Sequence, residues 1–219
     1  MGFDREVPGE RAKVGRARGI VFENLGGVEY PGWYWTPEEG IRWIDQVAAQ
    51  LQLDPGDSPQ PFEHVADCSA SGLRLAGTQP AADGGTDSWV LDLPAGGVGR
   101  FVDLGQGLAG DTTPRLQGFG SLGGGTQVSL RLTAFDQFTT AYLVAGVSQL
   151  SAPFKGGVLV PDVDLLVPFT PVFSPDVDLD ATWPAGIPSG ASVWFQAWQA
   201  QPGGPLGWAA TNGLEAITP

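Results

Sequence analysis

A chain of 219 residues with 42% hydrophobic content, eight Trp and eleven Phe is long enough to bury a core, and its aromatic content argues against disorder despite 33 Gly and 19 Pro. Its net charge of −13 repels phosphate backbones and anionic lipid, so neither nucleic acid nor a membrane surface is an expected partner. No apolar run reaches the ~18 residues of a membrane span, so membrane insertion is not expected, and no charged-then-apolar start reads as a signal peptide.

Residues 1–18 lack hydrophobic periodicity and read as an extended arm. They carry five bases, Arg5, Arg11, Lys13, Arg16 and Arg18, against three acids, Asp4, Glu6 and Glu10. The rest of the chain is strongly acidic. A basic arm on an acidic body complements the body of a neighbouring copy; the other reading of the same charges is a solvated tail.

Gly19 to Glu23 has the β-branched and aromatic content of a strand, and Val28 to Trp35 that of another, interrupted by Pro31 and Gly32. Thr36-Pro37-Glu38-Glu39 has the form of a helix-capping box. Ile41, Ile44, Val47, Ala48 and Leu51 follow at helical spacing, which predicts one amphipathic helix over about 37–52, stopped by Asp54-Pro55-Gly56. Beyond Pro61 the pattern is β. Runs at 88–93, 99–104 and 127–132 are separated by glycine-rich turns, and Val128, Leu130 and Leu132 alternate with polar residues as in a sheet with one buried face. The nearly continuous apolar run from Ala141 to Val147 predicts a central strand. The expected fold is mainly β, an antiparallel sandwich or jelly roll, organised as the arm (1–18), a β lobe with the helix (19–107) and a C-terminal sandwich (108–219); one continuous sandwich is the alternative. Pro161-Asp162-Val163-Asp164-Leu165 recurs as Pro175-Asp176-Val177-Asp178-Leu179, which predicts two neighbouring strands with similar edges.

Four ordered stretches, Pro114–Leu122, Ala152–Pro161, Trp183–Gly190 and Gly207–Leu214, give the second half of the chain a resemblance. It is similar to a C-terminal module that recurs in large secreted proteins of planctomycete-type environmental bacteria. The resemblance implies a secreted β-sandwich and carries no catalytic residues. The small size and basic arm also resemble, in architecture alone, subunits of extracellular bacterial fibrils built by strand exchange.

Little in the sequence points to catalysis. Cys68 is the only cysteine and His64 the only histidine. Their segment reads as extended, which would put the two side chains ~13 Å apart, too far for a nucleophile and its base. No phosphate-binding loop, dinucleotide fingerprint or serine elbow occurs, and Gly123-Gly124-Gly125 reads as a hairpin turn. No enzyme is expected. If their segments pair, Asp162, Asp164, Asp176, Asp178 and Asp180 form a carboxylate cluster suited to calcium, the one candidate cofactor; otherwise they are solvated edge charges that discourage aggregation. Trp33 and Trp35, and Trp194 and Trp198, are candidate ligand-binding or interface aromatics. If the face of Trp194, Gln196 and Trp198 points outward it is a sugar platform, and if inward it is core. The expected function is a structural subunit of an extracellular or cell-surface filament. Copies would join head-to-tail through Phe3, Arg5, Val7, Arg11, Lys13, Val14, Arg16, Arg18, Ile20 and Phe22. The alternative is a secreted carbohydrate-binding module, with glycans as partners.

Overall fold

Aromatic and β-branched residues between Gly19 and Trp43 form strands in the computed structural model, which describes residues 19–21, 24–25, 28–29, 32–36, 40–53, 58, 62, 64–69 and 73–219. The chain divides into two compact units, 1–95 and 96–219. The first begins with β1 (Gly19–Val21), β2 (Asn24–Leu25), β3 (Val28–Glu29), β4 (Trp33–Thr36) and β5 (Gly40–Trp43). β4 is the middle strand of an antiparallel sheet, with Trp35 opposite Gly19 on one side and Ile41 on the other. β2 and β3 form a separate short hairpin.

Among the described residues the one α-helix, α1, covers Ile44–Gln50 and is shorter than its sequence pattern. Thr36 is not its cap: it pairs with Gly40 across a hairpin, and Ile41, expected in the apolar stripe, lies on β5 and is 64% exposed. Gly40 is a poor helix residue, and the aromatic and β-branched residues on either side of it, Trp33-Tyr34-Trp35 and Ile41 with Trp43, favour strand, so local preference overrides the capping-box pattern. The remaining stripe behaves as expected. Ile44, Val47 and Ala48 are buried, and the Ile44 amide donates to Gly32 O at 2.9 Å. Gly32 also lets Val65 pack closely, because a Cβ there would fall 2.5 Å from Val65 Cγ2.

β6 (His64–Cys68), β7 (Arg74–Pro80) and β8 (Thr86–Asp92) form the other antiparallel sheet of this unit. Trp89 lies across its partner Gly77, where a Cβ would fall 2.4 Å from the indole. Phe62 meets the same ring edge-on at 5.3 Å.

The second unit contains β9 (Arg100–Gly105), β10 (Arg115–Gly120), β11 (Gln127–Thr133), β12 (Ala141–Gly146), β13 (Gln149–Phe154), β14 (Gly157–Pro161), β15 (Leu165–Phe169), β16 (Val177–Thr182), β17 (Ser192–Ala200), β18 (Trp208–Ala210) and β19 (Gly213–Ile217). β9, placed in the first lobe by its sequence position, pairs with β19 and so belongs here. The large sheet has the order β15-β12-β17-β19-β9, with β18 on β17, and the small sheet the order β10-β11-β16. The expected central strand is central: β12 lies between β15 and β17.

The two sheets face each other over a shared core. Leu116, Leu130 and Leu132 of the small sheet meet Ala141, Leu143, Ala197 and Leu214 of the large one. Removing each large side chain from water contributes roughly 1.5–3 kcal/mol. Hairpin β13–β14 covers the other face of the large sheet, where Leu159, Trp198, Val144 and Ala210 pack together. Gln196, fully buried, fastens this third layer. Its Oε1 accepts from Val160 N at 3.0 Å and Trp198 Nε1 at 3.1 Å, and its Nε2 donates to Val158 O and Thr211 O, both at 3.1 Å.

Candidate functional site: an open cleft at one edge of the sandwich

The two lateral edges of the second unit differ. At one edge β9 and β10 are brought together by Phe101, whose ring occupies the space a side chain at Gly118 would need; a Cβ there would fall 2.2 Å from Phe101 Cδ1. At the other, β15 ends the large sheet and β16 ends the small one, and among the described residues each pairs with a single neighbour. Both therefore present a row of backbone groups on their outer side.

Between these two edges the core is incompletely filled. A cleft of about 560 Å³ runs inward past Leu165 and Val167 of β15 and Leu179 and Ala181 of β16 to Phe101, Leu143 and Phe195. The register explains the apolar lining. Leu165 and Val167 pair with Ala145 and Leu143, and Leu179 and Ala181 with Leu130 and Val128, so alternation points all of them to the inside. Asp178, Asp180 and Thr182 of β16 border the cleft at its rim, and the buried Trp183 at its wall has an indole N–H without a hydrogen-bond partner among the described residues. β15 is itself unusual for an edge strand: Leu165, Leu166 and Val167 are 57%, 51% and 36% exposed. Edge strands are ordinarily protected by charge, and β15 departs from that pattern.

The opposite face of β16 is polar. Arg131 on β11 holds Asp178 with two hydrogen bonds, Nε to Oδ1 at 2.8 Å and Nη2 to Oδ2 at 3.2 Å. Hydrogen bonding from Arg131 lowers the Asp178 pKa below the ordinary carboxylate value; partial burial opposes the shift and the guanidinium charge adds to it. Asp180 stands opposite Ser129 on the same outward face.

The five aspartates do not converge, because β15 and β16 lie in different sheets. Asp162 and Asp164 sit in the turn between β14 and β15 rather than alternating along a strand. Asp162 Oδ1 accepts from Val163 N at 2.8 Å, and Asp164 Oδ2 from Val147 N at 2.8 Å. Asp176 accepts from Ala134 N at 3.1 Å. Among the described residues no three His, Cys, Asp or Glu side chains are grouped to hold a metal ion.

The tryptophans separate in the same way. Trp198 is 2% exposed and lies under hairpin β13–β14, with Phe154 edge-on at 5.0 Å, so the Gln196 and Trp198 part of the face they share with Trp194 is covered by protein. Trp194 is half-buried, and its indole N–H has no hydrogen-bond partner. Trp33 and Trp35 belong to β4. His64 is exposed and Cys68 half-buried at the two ends of β6. Of the assembly residues, Ile20 lies in β1 opposite Tyr34 of its own chain. Phe3, Arg5, Val7, Arg11, Lys13, Val14, Arg16, Arg18 and Phe22 lie outside the described residues.

Sequence reasoning missed the cleft, although a signal for it was present. The repeated Pro-Asp-Val-Asp-Leu stretches lead into β15 and β16, which are its two lips. A further apolar surface lies at the loop tip where Phe138 and Phe173 are 74% and 100% exposed, braced by Phe138 N donating to Pro171 O at 2.7 Å.

No protein-family model matches the chain, and no curated protein or solved structure matches it either.

Proposed function

We propose that this chain is a structural subunit that assembles head-to-tail outside the cell, the extended N-terminal arm of one copy entering the β15–β16 cleft of the next. The observation that carries the reading is the coincidence of an apolar cleft with two edge strands, each of which has one side without a strand partner among the described residues. An added strand gains main-chain hydrogen bonds along an edge while its inward side chains fill the cleft. Donor and acceptor are different surfaces, so each copy offers one of each and the contact propagates unless its rotation closes a ring. The extracellular setting rests on the resemblance of the C-terminal half to secreted modules.

The cleft volume also falls in the ~300–1,000 Å³ range of small-molecule sites. A carbohydrate suits it poorly, because its walls offer few groups to pair with sugar hydroxyls. A compact apolar ligand is the second reading, but it leaves the row of edge backbone groups unused.

The test compares the full chain with a chain beginning at residue 19, by light scattering and electron microscopy over a range of concentration. The full chain is expected to elongate and the truncated one to remain monomeric. Equal assembly of both, or a full chain that stays monomeric at high concentration, overturns the reading.

A further inference from the structure

We infer that the strand-forming part of the arm is 11–18, and that it adds to the edge of β16 rather than β15, with Asp180 as its ionic partner. This rests on the assembly reading above and specifies its contact.

The choice of edge follows from the two lips. β15 contains Pro168, which has no N–H to give, and its outward face at this edge carries Leu166 and Pro168. β16 has a donor at every position from Val177 to Thr182, and its outward face carries Asp178 and Asp180. Asp178 is engaged by Arg131. Asp180 has no cationic partner among the described residues and is exposed.

The choice of segment follows from the alternation that a neighbour of β16 must have. Side chains of an added strand project to the same two faces as those of the strand it joins. The required pattern is apolar toward the cleft, beside Leu179 and Ala181, and basic toward Asp180. Arg11-Ala12-Lys13-Val14 has it, with the two bases on one face and the two apolar side chains on the other. Gly15 follows, and a one-residue bulge at that glycine would reset the alternation in the added strand. Arg16 and Arg18 would then rejoin the basic face and Ala17 the apolar one. Phe3-Asp4-Arg5-Glu6-Val7 lacks the pattern, because Arg5 shares the face of Phe3 and Val7.

Full-length variants test the contact by charge exchange, with elongation followed by light scattering at low salt. Asp180→Lys, an exposed substitution, is expected to slow elongation about tenfold or more, as is the donor variant Arg11→Glu with Lys13→Glu. Combining both sets in one chain is expected to restore elongation. Circular dichroism and thermal unfolding confirm that each variant is folded. If Asp180→Lys elongates like the wild type while deletion of 1–18 abolishes assembly, the arm docks elsewhere and this inference alone fails. If the combined variant stays as slow as either parent, the pairing is wrong. If the deletion leaves assembly unchanged, the assembly reading fails and this contact with it.

Discussion

Gln196 and Val160 join two layers of the second unit: the buried Gln196 Oε1 accepts the Val160 amide at 3.0 Å, fixing hairpin β13–β14 to the outer face of the large sheet. The same carboxamide also serves Trp198, Val158 and Thr211, so no apolar residue can replace it without stranding several buried groups.

Gln196→Leu should therefore be strongly destabilising. Each buried polar group left without a partner costs about 1–3 kcal/mol, and the substitution strands more than one, so a loss of about 3 kcal/mol or more is expected in urea unfolding. A loss below about 1 kcal/mol would show that the network contributes little to stability.

Gly118→Val tests the sealed edge. The new side chain must displace the Phe101 ring, and overpacking of this kind costs about 1–3 kcal/mol. Gly118→Ala should cost less, giving a graded series in thermal unfolding; equal stability of all three proteins would refute the contact.

Ala181→Trp tests the open edge. Ala181 is exposed and lines the cleft, so an indole there should cover apolar wall and leave the fold and its melting temperature intact or raised. Elongation should be lost, as measured by light scattering. Unimpaired elongation would exclude the cleft as the acceptor.

The Arg131–Asp178 pair predicts a pH dependence of definite sign. Arg131 holds the folded-state pKa of Asp178 below its unfolded value, so its contribution is fully present above the unfolded pKa of ~3.9 and disappears as pH falls through the folded value. The stability difference between wild type and Arg131→Met should be level near neutrality and shrink in acid below about pH 4. Both groups are substantially exposed, so the difference should be small and should fall with added salt. A difference that grows on acidification would contradict the assignment.

Salt should separate encounter from adhesion in the proposed assembly. On the proposed assembly, charge would steer the arm toward an acidic body and be screened beyond about 10 Å at 0.1 M salt, whereas apolar anchors would not. Moderate salt should slow elongation more than it dissolves finished filaments; rapid dissolution with little effect on the elongation rate would show that ion pairs hold the contact.

Patterns that depend on near neighbours were legible in the sequence. Val128, Leu130 and Leu132 alternate inward, Ala141 to Gly146 forms the central strand, and the glycines at 123–125 form a turn, because a residue's face in a strand is set by its parity. The one helix was legible from Ile44, Val47 and Ala48, but its start was not. Thr36-Pro37-Glu38-Glu39 suits a helix cap, and only pairing of β4 with β5 placed Thr36 in a hairpin. Which strands become edges depends on contacts between distant segments. Identical Pro-Asp-Val-Asp-Leu stretches run into β15 and β16, yet Asp162 and Asp164 fill a turn while Asp178 lies on a strand, and the two lips belong to different sheets. The burial of Trp198 likewise required hairpin β13–β14 to fold back over it. Parity is local and survives in the sequence; which edge is sealed and which stays open is set by packing between segments far apart in the chain, and the tertiary structure alone decided it.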